Sequence, residues 1–411
     1  MGVIEIGLFL VGFVLGPFIN FAIYSFAYFP RPISPWQSRP SEIPMRRGGA
    51  KLPIIGWLFR RSESVYFGGL FWLRPLLIEL ATPIALVVLY RYSIVGTFMP
   101  LGIGAMPTST LQHHFIAFAL LIVLMAVSTF IDFDERTIPD FVTIPGTILG
   151  LVGAIVFPDW RMHELTLPEF PALIGATVPL QANSPEPWNM NWNGSSGLLF
   201  GLFFWSSWCF GIADRRWITR RGIQKAVLYF VETLRRSPST KMLLMLWIIG
   251  AIGLIGAFNL TDSTRWEALL SSLFGIGLGG GLVWGFRIVA CWAMGQEALG
   301  FGDVTLMAMI GSFFGWQIVW LAFFLAPFFG MIFVVIVWIL TRDNSFPFGP
   351  YLCASTLYCM LDWVKLWSWT SSYFLPPHFL VVILAGMLIA LGAMLWMIQT
   401  LKQKVGIATS R

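Results

Sequence analysis

Apolar and polar residues are grouped in long blocks along this chain. Runs of mostly apolar residues, most of them near the roughly 20 needed to cross the hydrocarbon core of a bilayer, alternate with polar segments. The pattern predicts an all-α, polytopic transmembrane helical bundle of about 10 to 11 membrane segments. The eleven runs cover residues 4–28, 77–97, 113–131, 141–157, 197–213, 242–260, 268–290, 304–315, 317–341, 348–366 and 379–400.

Composition supports the same class. Of the 411 residues, 57% are hydrophobic and 11% are charged, which excludes an ordinary soluble globular domain. The first run carries Glu5, with no basic residue before it and no small-residue cleavage site, so we expect a retained anchor. The four cysteines have neither metal-ligand nor disulfide-framework spacing and are predicted to be packing residues; they are Cys209, Cys291, Cys353 and Cys359.

The basic residues predict an orientation, because positively charged loops are retained in the cytoplasm. If the N-terminus lies outside, all but four of the 26 Lys and Arg fall on the cytoplasmic side; the exceptions are Arg91, Arg161, Arg265 and Lys365. The net charge of +6 is thus explained by membrane-flanking loops and anionic lipid, and nucleic acid is not expected as a partner. The basic segment 216–237 is predicted to be an amphipathic helix on the inner leaflet, with a partner-binding surface as the alternative.

Two carboxylates lie at the ends of predicted membrane helices. Asp132 ends the third run within IDFDERTIPD (131–140), and Asp303 begins the eighth within GFGD (300–303). In the predicted topology both face the cytoplasm. A helix dipole disfavours an ionised carboxylate at a C-terminus and favours one at an N-terminus, so the two environments are expected to differ. Such a pair suits general acid and base catalysis, in which one member keeps a proton and the other activates water.

Neighbouring residues allow both a functional and a structural interpretation. Gly300 and Gly302 would let a substrate peptide approach the backbone closely, yet glycine before a helix-starting aspartate is also ordinary capping. Asp140 follows a proline at the start of a run, where a capping or turn role is favoured over catalysis. Asp134 and Glu135 are interpreted as solvated turn residues or as charges that repel Asp132.

The remaining histidines and glycines indicate structure rather than chemistry. The histidines form no ligand cluster, so no metal is predicted; they are His113, His114, His163 and His378. The run GIGLGGGLVWG (275–285) predicts close helix packing, since small residues let membrane helices approach each other. The run GSFFGW (311–316) predicts a helix break, after which the chain turns back.

Two longer segments resemble a known family. FIDFDERTIPDFVTIPGTILGLV (130–152) and GQEALGFGDVTLMAMIGSFFGWQ (295–317) closely resemble the two active-site segments of type IV prepilin leader peptidases, membrane aspartyl proteases of the GxGD class. FPFGPYL (346–352) and GLFLVGFVLGPFINFAIYSF (7–26) are similar to other parts of that family. The resemblance implies that Asp132 and Asp303 are catalytic. Substrate binding or active-site support is assigned to Gly300, Gly302, Asp140 and Glu297.

The resemblance also implies a function. It implies an endopeptidase that removes the leader of prepilin or pseudopilin precursors at the cytoplasmic face of the bacterial inner membrane. No cofactor is expected for proteolysis, and the expected partners are the precursor and membrane lipid. The alternative is a transporter, or a secretion or pilus assembly component, whose membrane carboxylates couple protons or ions. A third hypothesis is that the chain is a catalytically weak relative of the family that is retained for assembly.

The chain departs from the family pattern in three places. Residues 31–76 contain neither Cys nor His, so the zinc site of relatives is not expected, and methyl transfer from S-adenosylmethionine is in doubt. Gln296 and Thr305 stand where lysines are common in the family. Residues 158–265 are predicted to be an insertion with an outer loop, two spans and a basic segment. The other predicted units are the first span (1–29), a cytoplasmic segment (30–76) and two parts of the catalytic core (77–157 and 266–411).

Overall fold

The computed structural model describes residues 2–38, 41, 43, 46, 48–95, 107–162, 190–213, 223–294, 299–341, 347–370, 382–389, 392 and 393. The regular structure of these residues is helical, which confirms the all-α prediction. The α-helices are α1 (Val3–Ser25), α2 (Ile55–Phe59), α3 (Ser64–Phe67), α4 (Leu73–Val95), α5 (Thr108–Glu135), α6 (Asp140–Val156), α7 (Ser195–Ile212), α8 (Ile223–Arg236), α9 (Pro238–Leu260), α10 (Ser263–Met294), α11 (Phe301–Phe314), α12 (Trp316–Thr341), α13 (Gly349–Leu361) and α14 (Trp363–Thr370).

Seven of the described helices are long and apolar enough to cross a membrane, namely α1, α4, α5, α7, α9, α10 and α12. The chain is therefore a multi-pass membrane protein. Helices α6 and α11 are apolar but have only 17 and 14 residues. At about 1.5 Å per residue, α11 is about 21 Å long and falls short of a bilayer core of about 30 Å. The predicted run 348–366 forms two helices, α13 and α14, and most of the run 379–400 lies outside the described residues.

Helix α11 lies at the centre of the bundle. Its residues from Asp303 to Phe314 are buried, and it packs against α10 and α6. A Cβ atom on Gly311 would lie 2.1 Å from the carbonyl oxygen of Gly275 on α10, so only glycine allows these two helices to come so close. Gly315 then ends α11 with a φ of 80°, and α12 begins at the next residue. The helix break thus lies within the run GSFFGW.

The segment between α1 and α4 packs against the end of α5. Its buried residues Ile33 and Trp57 share a hydrophobic cluster with Ile131 of α5. Glu135 accepts hydrogen bonds from the backbone amides of the third and fourth residues after the end of α1, at 2.8 and 3.0 Å. Asp134 accepts two hydrogen bonds of 2.8 Å from a guanidinium at the start of α4. Asp134 and Glu135 therefore anchor this segment from the last turn of α5, while Asp134 stays exposed to solvent.

A buried ion cluster joins two parts of the same segment. Glu63 is 3% exposed and accepts hydrogen bonds from Arg60 at 2.9 and 2.7 Å and from Arg46 at 3.2 and 3.1 Å. Arg46 also donates to the carbonyl oxygens of Pro32 and Ser34, at 2.9 and 3.0 Å. A zinc ion does not fit here, because the carboxylate is already paired with two guanidinium groups and the segment supplies no Cys or His. Ion pairs hold the two parts of this segment together.

Candidate active site

Asp132 is held in the last turn of α5. The helix ends because Arg136 adopts a left-handed conformation, with φ of 56°, and its amide donates to the carbonyl oxygen of Asp132 at 2.8 Å. Pro139 is the N-cap of α6, and the residue before a proline is driven towards extended backbone. The chain therefore leaves α5, crosses a turn of four residues, 136 to 139, and enters α6 at Asp140.

Asp303 is the third residue of α11, and Gly300 is its N-cap. A Cβ atom on Gly300 would lie 3.6 Å from an oxygen of the Asp303 carboxylate, which is placed at the helix start among its free backbone amides. Gly302 lies against the turn that follows α5, where a Cβ atom would come 2.8 Å from the Cβ atom of Ile138 and 3.0 Å from its carbonyl oxygen. Glycine at this position is required for the close approach of α11 to the turn after Asp132.

The two carboxylates line one cavity of about 720 Å³. Asp132 is 4% exposed and Asp303 is 6% exposed, and the two interact electrostatically. The exposed fractions of the two side chains are nearly equal, so burial does not provide the expected contrast between their environments. Because the two carboxylates interact, their protonation equilibria are properties of the pair and not of either residue alone. The lining consists of Tyr28, Asp132, Arg136, Thr137, Ile138, Asp140, Leu299, Gly300, Phe301, Gly302, Asp303, Pro347 and Phe348.

Gly349 is a site residue that the sequence assignment missed. It is the first residue of α13, and its amide donates a hydrogen bond of 3.1 Å to Oδ2 of Asp132. The N-terminus of a helix carries a partial positive charge, so α13 points a favourable dipole at this carboxylate. A Cβ atom on Gly349 would lie 2.5 Å from the same oxygen. The signal in the sequence is the run FPFGPYL (346–352), which contains Gly349 and is similar to a segment of the family.

Asp140 and Tyr28 complete the wall nearest to α6. Within the described part of the chain, the Asp140 carboxylate accepts no hydrogen bond, so the capping bond favoured by the sequence is not made. Tyr28 lines the same cavity. Glu297 lies outside the described residues, and its assigned role stays a prediction.

Thr305 links α11 to α6. Its hydroxyl donates to the carbonyl oxygen of Gly302 and accepts from Thr143, both at 3.1 Å, and the side chain is 3% exposed. A neutral, buried hydroxyl pair thus lies between α11 and α6. Arg136 is the charged residue that lines the cavity besides the three aspartates.

These features define what the cavity can do chemically. Two carboxylates that share a cavity can share one proton, so that one acts as a general base towards water while the other acts as a general acid. A volume of about 720 Å³ lies within the range of about 300 to 1,000 Å³ typical of ligand sites. Among the described residues, no group of three or more His, Cys, Asp or Glu side chains is suited to hold a metal ion.

Comparison with known proteins supports the resemblance. Residues 238–335 match the type IV leader peptidase family, a segment that contains Asp303 but not Asp132. The prepilin leader peptidase/N-methyltransferase of Pseudomonas aeruginosa is 35% identical over 118 residues, which is 28% of this chain and 38% of that protein. The protein of the same name from Stutzerimonas stutzeri is 28% identical over 134 residues, 31% of this chain and 41% of that protein.

A shorter relative gives a similar result. The leader peptidase HopD of Escherichia coli is 34% identical over 94 residues, which is 22% of this chain and 57% of that protein. The chain thus spans between about two fifths and three fifths of the length of these relatives. No solved structure matches the chain. The matches support a relationship to type IV prepilin leader peptidases.

Proposed function

We propose, from this relationship, that the chain is an aspartyl endopeptidase that cleaves the leader from type IV prepilin-like precursors. The observation that carries the proposal is that Asp132 and Asp303 line one cavity, where the ends of α5, α6, α11 and α13 meet. A transporter would more often carry its carboxylates near the middle of a span. Here both lie within the last or first turn of a helix, beside a cavity large enough for a short length of peptide.

The proposed reaction needs only the two carboxyl groups and water. The ionised member of the pair takes a proton from water as the oxygen attacks the scissile carbonyl carbon, and the protonated member donates to the carbonyl oxygen. Collapse of the tetrahedral intermediate breaks the C–N bond, and the amine leaves with a proton from the pair. The products are a leader with a new carboxyl group and a mature chain with a new amino group. No covalent enzyme intermediate and no cofactor take part.

We further propose that the catalytic end faces the cytoplasm of a bacterium, across its inner membrane, with the N-terminus of α1 outside. The distribution of Lys and Arg supports this orientation, because the loops on the catalytic side hold most of them. Zinc is not part of the proposal, since Glu63 is paired with Arg60 and Arg46. Methyl transfer to the new amino group is not part of it either.

Reconstitution tests this function. The full chain in proteoliposomes is mixed with a precursor that carries its leader, and the products are identified by mass spectrometry. We expect a single cut that releases the leader. A precursor from which the leader has already been removed should not be cut. An intact precursor after prolonged incubation with a folded, correctly inserted chain would contradict the proposal.

A further inference from the structure

The four residues that follow α1, residues 26–29, are fixed against the ends of α5 and α6. The ring of Phe26 is stacked on that of Phe141, near the start of α6, with the centroids 6.3 Å apart and an angle of 23° between the planes. Glu135, the last residue of α5, accepts a hydrogen bond of 2.8 Å from the amide of Tyr28 and one of 3.0 Å from the next amide. We call these four residues the exit segment.

Glu135 ties the exit segment to the helix that carries Asp132. Its two carboxylate oxygens bind two successive amides, so the backbone is held at two points. Hydrogen bonds to an ionised carboxylate are roughly twice as strong as those between neutral groups. Asp132 precedes Glu135 by three residues on α5, a spacing that places both side chains on the same side of the helix. The position of the exit segment is therefore coupled to the helix turn that presents Asp132.

Tyr28 extends from the exit segment into the wall of the catalytic cavity, which it lines together with Asp132 and Asp303. Its side chain is 57% exposed, whereas the preceding Ala27 is 6% exposed, so the ring is not used to fill the protein interior. Partial burial and the negative charge of Asp140 raise the pKa of the Tyr28 phenol, so the hydroxyl keeps its proton near neutral pH. The cavity thus has an O–H donor and an accessible aromatic ring beside its carboxylates.

We propose that Tyr28 binds the peptide in the catalytic cavity and that Glu135 is the residue that positions Tyr28. The phenol hydroxyl donates a hydrogen bond to a backbone carbonyl oxygen of the peptide, and the ring packs against the bound chain. Every peptide offers such an acceptor, so the contact requires no particular substrate sequence. The inference rests on the proposed function, because the peptide is its substrate. The competing role for Tyr28 is that of an anchor among lipid headgroups, where tyrosines near the ends of membrane helices are common.

Two substitutions of Tyr28 test its role in binding. Tyr28→Phe removes the hydroxyl, and we expect it to raise KM for the precursor about fivefold, as the loss of one hydrogen bond between neutral groups would do. Tyr28→Ala also removes the ring and should raise KM about 50-fold, with kcat changed by no more than about twofold. Tyr66→Phe is the matched control, because Tyr66 is 50% exposed on α3 and lies outside the cavity lining. The control should behave as the unsubstituted chain.

A double-mutant cycle tests whether Glu135 acts through Tyr28. Glu135→Gln leaves one of the two amides without its acceptor and should raise KM about tenfold, whereas Glu232→Gln on α8 should not change it. In the chain that already carries Tyr28→Ala, Glu135→Gln should add little, because both changes remove the same contact with the peptide.

The outcomes separate the inference from the proposed function. Additive effects of the Glu135 and Tyr28 substitutions would overturn the positioning role of Glu135. Equal KM values for the Tyr28 variants and Tyr66→Phe would overturn the binding role of Tyr28, while cleavage by the unsubstituted chain upholds the function. If the unsubstituted chain does not cut the precursor, the function fails and the inference fails with it.

Cross-linking tests the contact without relying on turnover. A photoreactive phenylalanine derivative replaces Tyr28 in the Asp303→Asn chain, and the control carries the same group in place of Tyr66. Each chain is reconstituted with lipid, mixed with the precursor and irradiated, and the products are identified by mass spectrometry. We expect the group at position 28, and not the group at position 66, to cross-link to the precursor. Cross-links from position 28 to lipid alone would overturn the proposal in favour of a headgroup anchor.

Discussion

The amide of Gly349 donates a hydrogen bond of 3.1 Å to Oδ2 of Asp132, between residues 217 positions apart in the sequence. This contact joins the first turn of α13 to the last turn of α5. The same carboxylate shares a cavity with Asp303 at the start of α11. Three helix ends therefore determine where the Asp132 carboxylate lies relative to its partner.

Gly349→Ala should impair catalysis with little loss of fold. The added methyl group would lie 2.5 Å from Oδ2 of Asp132, so the carboxylate has to move. Displacement of a reacting group by about 1 Å can cost roughly 100-fold in rate, and we expect kcat to fall by this order. Gly253→Ala, whose Cβ atom meets nothing within 4 Å, is the control. Equal kcat values for the two variants would remove the positioning role of Gly349.

Gly275→Ala should destabilise the bundle. Its methyl group would lie 2.0 Å from the carbonyl oxygen of Gly311, so α10 and α11 have to separate. Overpacking of this kind typically costs about 1 to 3 kcal/mol. The unfolding midpoint in detergent should fall for Gly275→Ala but not for Gly281→Ala on the same helix, where a Cβ atom meets none of the described residues within 4 Å. Equal midpoints would show that the helices do not need this contact.

The Glu63 cluster should make the segment between α1 and α4 sensitive to acid. Burial alone would raise the pKa of Glu63, but hydrogen bonds from Arg60 and Arg46 outweigh it and lower the pKa below its usual 4.5. A group with a lowered pKa in the folded state stabilises above its unfolded value and loses this contribution as the pH falls through the folded value. Limited proteolysis of this segment should therefore accelerate as the pH falls below 4.5, the ordinary pKa of Glu.

Glu63→Gln tests the source of that acid sensitivity. Loss of one partner of a buried ion pair costs about 3 to 5 kcal/mol, so the variant segment should be cut readily even near neutral pH. Its cleavage should also depend less on pH. Glu232→Gln, at an exposed ion pair on α8, is the control and should leave proteolysis unchanged. A variant as resistant as the unsubstituted chain would refute the structural role of the cluster.

Removal of divalent metal should have no effect. Ion pairs hold the segment between α1 and α4, and the described residues offer no metal cluster. Dialysis against a strong zinc chelator is expected to change neither the unfolding midpoint nor leader removal. A drop in either, restored by added zinc, would contradict this expectation.

The sequence predicted the features that depend on local pattern. Apolar runs of membrane length gave the helices, and the glycines near residue 315 gave the break after α11. Asp132 and Asp303 could be singled out because a carboxylate at the end of an apolar membrane helix is costly and has few structural uses. The split of the run 348–366 into α13 and α14 was not predicted, although α13 ends at the charged residue Asp362.

Contacts between distant segments could not be predicted from the sequence. The hydrogen bond from Gly349, the anchoring of the chain after α1 by Glu135, and the contact between Gly275 and Gly311 all depend on how the helices assemble. The same holds for Asp140, whose position after a proline suggests a cap but whose carboxylate faces the cavity. At Asp140, the packing of four helix ends outweighs the local preference for a capping role.

Leader removal by Asp132→Asn and Asp303→Asn chains tests the central claim most directly. Both changes keep side-chain size and remove the acid, and Asp262→Asn at an exposed position is the control. General acid and base groups typically contribute about 100-fold to 10,000-fold each, so both variants should lose cleavage by at least about 100-fold while the control keeps it. Cleavage by either dyad variant at the rate of the control would contradict the account.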